Sequence, residues 1–72
     1  MKLEQHKQYT TKAGNIVKCL AVQADKDGVE YALCAYIAIK AEGHENLMNS
    51  AQKWSVGGKW LSHPGGIHDI VE

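Results

Sequence analysis

Four histidines, two cysteines and two tryptophans are the residues of this 72-residue chain whose chemistry could reach beyond packing. His44, His63 and His68, with Cys19, Cys34 and Asp69, are the right ligand types for zinc. Their spacing is wrong for it. The chain has no Cys-x-x-Cys and no His-Glu-x-x-His, and its two cysteines lie on opposite sides of a turn inside apolar stretches. Histidines in loops read as solvated side chains, so neither a metal nor any other cofactor is expected. Asp25, Asp27 and Gly28 suggest a calcium loop, but EF-hand spacing needs an aspartate where Gln23 stands and a glutamate well after Gly28. Residues 25–28 instead predict a hairpin turn. Nucleophilic chemistry would need Cys19 or Cys34 with a histidine, or Ser62 with His63 and Asp69. A reactive thiol requires an electropositive, partly exposed setting, and these flanks are apolar apart from Lys18. Adjacent Ser62 and His63 have no reason to face each other, and 72 residues leave little material for a pocket and its supporting shell. The sequence therefore predicts a protein that is not an enzyme.

The aromatic residues offer binding chemistry instead. Residues 54–71 hold both tryptophans, two of the four histidines and the only proline. If Trp54 and Trp60 were exposed near Tyr9 or Tyr36, with Lys59 beside them, they would form a groove for proline-rich peptides or a platform for stacking bases. The competing arrangement packs the two tryptophans across a hairpin over the core. A core this small needs its large side chains, which favours the second arrangement. Tyr9, Tyr36, Trp54, Lys59 and Trp60 are the candidate binding residues.

Composition limits the partners. Eight lysines balance eight acidic residues, so no long-range field draws the chain to nucleic acid or an anionic membrane. With no arginine it lacks the planar fork suited to phosphate and guanine. An apolar fraction of 44% with 22% charged residues predicts a folded, single domain spanning residues 1–72, with 1–7 loose. The polar N-terminus has no signal-peptide core, and no apolar stretch approaches the roughly 18 residues of a membrane span. These features predict a cytoplasmic protein that does not touch the membrane. A reducing compartment in turn predicts two free, buried thiols at Cys19 and Cys34.

The elements that would position these residues are strands. Residues 9–11 are β-prone, and Gly14 with Asn15 supplies turn chemistry after them. Residues 16–22 carry apolar side chains on both faces, as in a central strand. Residues 29–40 place Val29, Tyr31, Leu33, Ala35, Ile37 and Ile39 on one side and Glu30, Ala32, Cys34, Tyr36 and Ala38 on the other. The alanines would also suit a helix, but the flanking Asp-Gly and Glu-Gly turns, the tyrosines and the isoleucines favour a strand. Residues 47–54 predict a partly exposed strand, Gly57 and Gly58 the centre of a two-residue hairpin, and 60–61 its returning partner. After the loop 62–66, residues 67–71 predict a short terminal strand. Five or six short antiparallel strands read as an all-β barrel or roll.

Tyr9 and Thr11 ahead of Gly14, Val17 and Cys19, then Trp54, Gly58, Lys59 and Trp60, and finally His68, Asp69, Ile70 and Val71 resemble a group of small uncharacterised proteins. These are encoded by tailed bacteriophages and prophages. They open with a Tyr-x-Thr-x-x-Gly hairpin and close with Trp-x-x-x-Gly-x-Tyr followed by Asp-Leu-Val. The resemblance implies an SH3-like β-barrel expressed in a bacterial host cell, and it assigns no activity. This chain departs from the pattern in having Trp60 for the tyrosine and an extended loop over 62–66. The expectation is a phage or prophage accessory protein that binds another protein or associates with itself, through an exposed aromatic or an unpaired strand edge. The alternative is a single-stranded nucleic-acid-binding barrel using Lys12, Lys18, Lys53 and Lys59 around the tryptophans.

Overall fold

The computed structural model describes residues 2–71. Within them, strands β1 (Gln8–Thr10), β2 (Ile16–Ala24), β3 (Glu30–Ala38) and β4 (Ala51–Ser55) form one antiparallel sheet in chain order, with a single 3-10 turn at Glu45–Leu47 before β4. The protein is all-β, and of the expected strand over 29–40 the part Glu30–Ala38 forms β3. Ile and Tyr there fit a pleated surface that is buried on one side.

One loop chemistry turns the chain three times. Thr11, Asp25 and Ser55 each begin a five-residue loop whose fourth residue is a glycine with positive φ: Gly14 (86°), Gly28 (79°) and Gly58 (96°). In each, the first residue's N–H donates to the carbonyl of the fifth, Asn15, Val29 or Lys59, at 2.8–3.0 Å, and its own carbonyl accepts from the glycine N–H at 2.9–3.0 Å. Its side-chain oxygen then accepts from the N–H of the fifth residue, at 3.2 Å for Thr11, 3.0 Å for Asp25 and 3.1 Å for Ser55. The glycine is required because the left-handed position penalises any Cβ. The oxygen-bearing first residue satisfies a backbone donor that the turn would leave bare. Hence the turn at 55–59 is not a two-residue Gly-Gly turn: the loop is 56–58, and only Gly58 takes positive φ.

The register of β2 on β3 slips twice. Val17 faces Tyr36 and Ile16 faces Ala38, which leaves Ile37 extra; Cys19 faces Cys34 and Ala21 faces Leu33, which leaves Leu20 extra. Both extra residues are exposed. The period-two alternation of the strands sends Val17, Cys19, Ala32, Cys34, Tyr36 and Trp54 to one buried face.

The two ends of the chain cover that face. Leu3 is 1% exposed and its N–H donates to Val56 O at 2.8 Å, so the segment expected to be loose supplies a core residue; Met1 lies outside the described residues. Ile70 is 5% exposed; its N–H donates to Gly58 O at 2.8 Å, while Val71 N–H donates to Thr10 O at 2.9 Å. The C-terminal segment thus divides its backbone bonds between the β1 side and the β4 side. Residues 60–61 and 67–71 make only the single bridges Trp54 to Trp60 and Thr11 to Ile70. Among the described residues the sheet has four strands and is open, where five or six had been expected.

The free-thiol expectation is corrected as well. Cys19 and Cys34 are joined as a disulfide, both fully buried. Cys19 directs its N–H to Lys7 O and its carbonyl to the N–H of His6, away from β3. It therefore faces Cys34 as a non-hydrogen-bonded pair, the closer of the two antiparallel pairings, with Cα atoms 4.0 Å apart.

Candidate functional site

The buried side of the C-terminal half is organised by Asp69. Its carboxylate is 2% exposed, and one oxygen accepts the Trp60 N–H while the other accepts the Gly65 N–H, each at 2.8 Å. Lys59 Nζ lies 3.5 Å from the second oxygen. Burial alone would raise its pKa, but the two amides and then the lysine outweigh this and hold the carboxyl below its ordinary value. The aspartate ties residues 59–65 back on themselves, and its carbonyl accepts from Lys12 N–H at 2.9 Å. Its role here is structural: both carboxylate oxygens are taken by the loop they shape.

An aromatic ladder runs next to it. Trp54 is fully buried and donates Nε1–H to the carbonyl of His68 at 2.8 Å. Tyr36, also fully buried, lies 5.8 Å from Trp54 between ring centroids, and its hydroxyl is 2.9 Å from His68 Nδ1. Burial raises the Tyr36 phenol to about 12, and burial followed by the neighbouring His44 lowers the His68 pKa. The His68 ring packs 4.5 Å from Trp60 and 5.3 Å from His44, and Trp60 in turn lies 5.9 Å from His63. Buried Asn15 anchors the other side: its Oδ1 accepts the N–H groups of Lys40 and Ala41 at 2.9 and 3.0 Å, and its Nδ2 lies 3.4 Å from His44 Nδ1. Among the described residues no group of three or more His, Cys, Asp or Glu is gathered to hold a metal ion.

The candidate binding residues divide accordingly. Trp54 and Tyr36 are interior and cannot present their rings to a partner; Trp54 and Trp60 do face each other across the hairpin. Trp60 and Tyr9 are partly buried against the core, and Tyr9 uses its hydroxyl to accept the Glu4 N–H at 2.9 Å. Lys59 is turned to Asp69. The lysines of the nucleic-acid alternative are not brought together around the tryptophans. Lys18 and Lys53 alternate with buried Cys19 and Trp54, and so lie on the opposite face of the sheet.

That opposite face is what the aromatic signals obscured. The register builds it in rows: Lys18, Ala35 and Ala51; Ala21, Leu33 and Lys53; Gln23, Tyr31 and Ser55. Bulged Leu20 (44% exposed) and Ile37 (37% exposed) add apolar surface beside it. Lys53 Nζ sits 5.2 Å from the Tyr31 ring centroid, and the Tyr31 hydroxyl donates to Gln23 Oε1 at 2.8 Å. The sequence signal was present: Tyr31, Leu33 and Ala35 share one parity, and it is the parity that excludes the buried tyrosine. Scans against protein-family models, curated proteins and solved structures find no match to this chain.

Proposed function

We propose that this chain is a small binding module that docks a protein partner on the outward face of its sheet. The observation that carries the reading is the apolar centre of that face, Leu33 with Ala21, Ala35 and bulged Leu20, edged by Lys18, Lys53, Gln23 and Ser55. An apolar centre with a polar rim is the anatomy of a protein contact. The conspicuous polar groups of the other side, Asn15, Asp69 and the His68 ring, are already engaged in holding the fold. We read the fold as an SH3-like roll; Leu3 and Ile70, each bonded to the β4 hairpin, and Val71, bonded to Thr10, support that reading. With it goes the resemblance to tailed-phage and prophage accessory proteins acting inside a bacterial host. The Cys19–Cys34 disulfide weighs against the reducing cytoplasm of such a host as the place where the protein acts.

The test is affinity capture of the tagged protein from phage-infected or prophage-induced bacteria, with nuclease treatment, against a Leu20→Ser, Ile37→Ser variant. Both positions are already exposed, so the variant keeps the core. The reading expects a nuclease-resistant protein partner that the variant loses. Capture that disappears with nuclease, or that is equal for the variant, overturns it.

A further inference from the structure

We infer that the partner segment seated on the outward face is short, amphipathic and acidic; the inference rests on the protein-binding reading above. The outward positions of the four strands include two lysines, Lys18 and Lys53, and no aspartate or glutamate. Among the described residues the ion pairs are Lys2 with Glu30, Lys7 with Glu4 and Lys59 with Asp69, which leaves both outward lysines without a carboxylate. The two stand on β2 and β4, either side of the apolar centre on β3. A partner with an apolar stripe flanked by carboxylates on both sides is complementary to this pattern in polarity and charge. The acidic turn holding Asp25 and Asp27 lies past the Gln23 and Tyr31 row and repels the same carboxylates, which fixes where the segment ends.

Size and charge exclude the other occupants. Three strands about 4.8 Å apart, over some five residues each rising about 3.4 Å, offer on the order of 300 Å². A stable protein complex buries about 800 Å² on each partner, so this face suits a short segment rather than a second folded domain. A second copy of the same face would set lysines against lysines. Nucleic acid would find two cations and one aromatic ring, Tyr31, whose face is already occupied by Lys53.

The experiment is selection from a random 16-residue peptide library on the intact protein, followed by amide chemical-shift mapping of an enriched peptide. Expected are peptides rich in Asp, Glu and large apolar residues that shift the amides of Ala21, Leu33, Ala35 and Lys53. Lys18→Glu with Lys53→Glu should weaken binding about tenfold or more, and the neutral pair Lys18→Gln with Lys53→Gln less. Should the glutamate pair fail to fold, Lys53→Glu alone, at an exposed position, carries the test. Enriched peptides that are basic or uncharged, or binding indifferent to the lysines, overturn the acidic partner while leaving the protein-binding reading standing. Shifts confined to Trp60, His63 and His68, or no enrichment at all, overturn both. Equal shifts of the same amides by a 20-residue oligothymidylate overturn the protein occupant in favour of single-stranded nucleic acid.

Discussion

A carboxylate shut away from water must be met by donors or lose its charge. Asp69 is met by the Trp60 and Gly65 amides, one to each oxygen, with Lys59 beside the second. Asp69→Asn replaces one accepting oxygen with an NH2 that confronts an amide donor. The change should therefore destabilise the fold by about 1.5–3 kcal/mol at pH 7, the range for a hydrogen bond to a charged group. Because the folded pKa lies below the ordinary value near 3.8, this contribution is present above that value. It is lost as pH falls through the folded pKa. Urea unfolding of the wild type between pH 7 and pH 2 should show that acid limb, and the Asn variant should show a shallower one. An Asn variant of unchanged stability at pH 7 would remove Asp69 from this role.

At the scale of elements, the repeated loop explains how a chain with no long-range cue to its topology fixes its own turns. Thr11, Asp25 and Ser55 each precede a glycine by three, and each loop closes with the same three bonds. Gly28 isolates the backbone component, since a Cβ there would meet nothing within 4 Å. Gly28→Ala should cost about 1–2 kcal/mol from the left-handed φ alone, and Gly28→Asn less. Denaturant midpoints of the two variants check the order; equal and negligible losses would show that the loop tolerates another geometry. The places of the turns, the long β3 and the facing of Trp54 towards Trp60 were legible because they are local, marked by glycine or by period-two alternation; the type of the turn at 55–59 was not, because Gly57 and Gly58 suit a two-residue turn as well. The extra residues Leu20 and Ile37 were not, because one slipped register is invisible to a parity count of a single strand. The terminal strand was misread for a related reason. Residues 67–71 alternate like a strand and exchange backbone bonds with Thr10, Lys12 and Ala13, but Ile70 turns its N–H to Gly58 on the other side, and only tertiary structure decides that. Trp54 and Trp60 both pack on the side of the sheet opposite the outward face, so their presence in the sequence says nothing of that face.

For the whole molecule the decisive constraint is size. A domain near this length buries only about 60% of its unfolded surface, so its margin of stability is thin and any restraint on the unfolded chain weighs heavily. The Cys19–Cys34 bond is such a restraint. It crosses β2 and β3 at the centre of the buried face and closes a loop with a sequence separation of 15. A loop of about 15 residues limits the unfolded ensemble by about 3 kcal/mol in the chain-entropy account. That is a large share of the about 5–15 kcal/mol that holds a typical domain together. Replacing both cysteines with alanine keeps the site apolar and removes only the cross-link and two sulfur atoms. For a chain of this size the unfolding midpoint should fall by roughly 12–24 °C, at about 4–8 °C for each kcal/mol. Dithiothreitol should lower the wild-type midpoint to a similar degree and leave the alanine variant unaffected. If the reductant moved neither protein, the two sulfurs would be contributing as packed apolar atoms, and the sheet would owe its stability to Leu3, Ile70 and the buried aromatic pair alone.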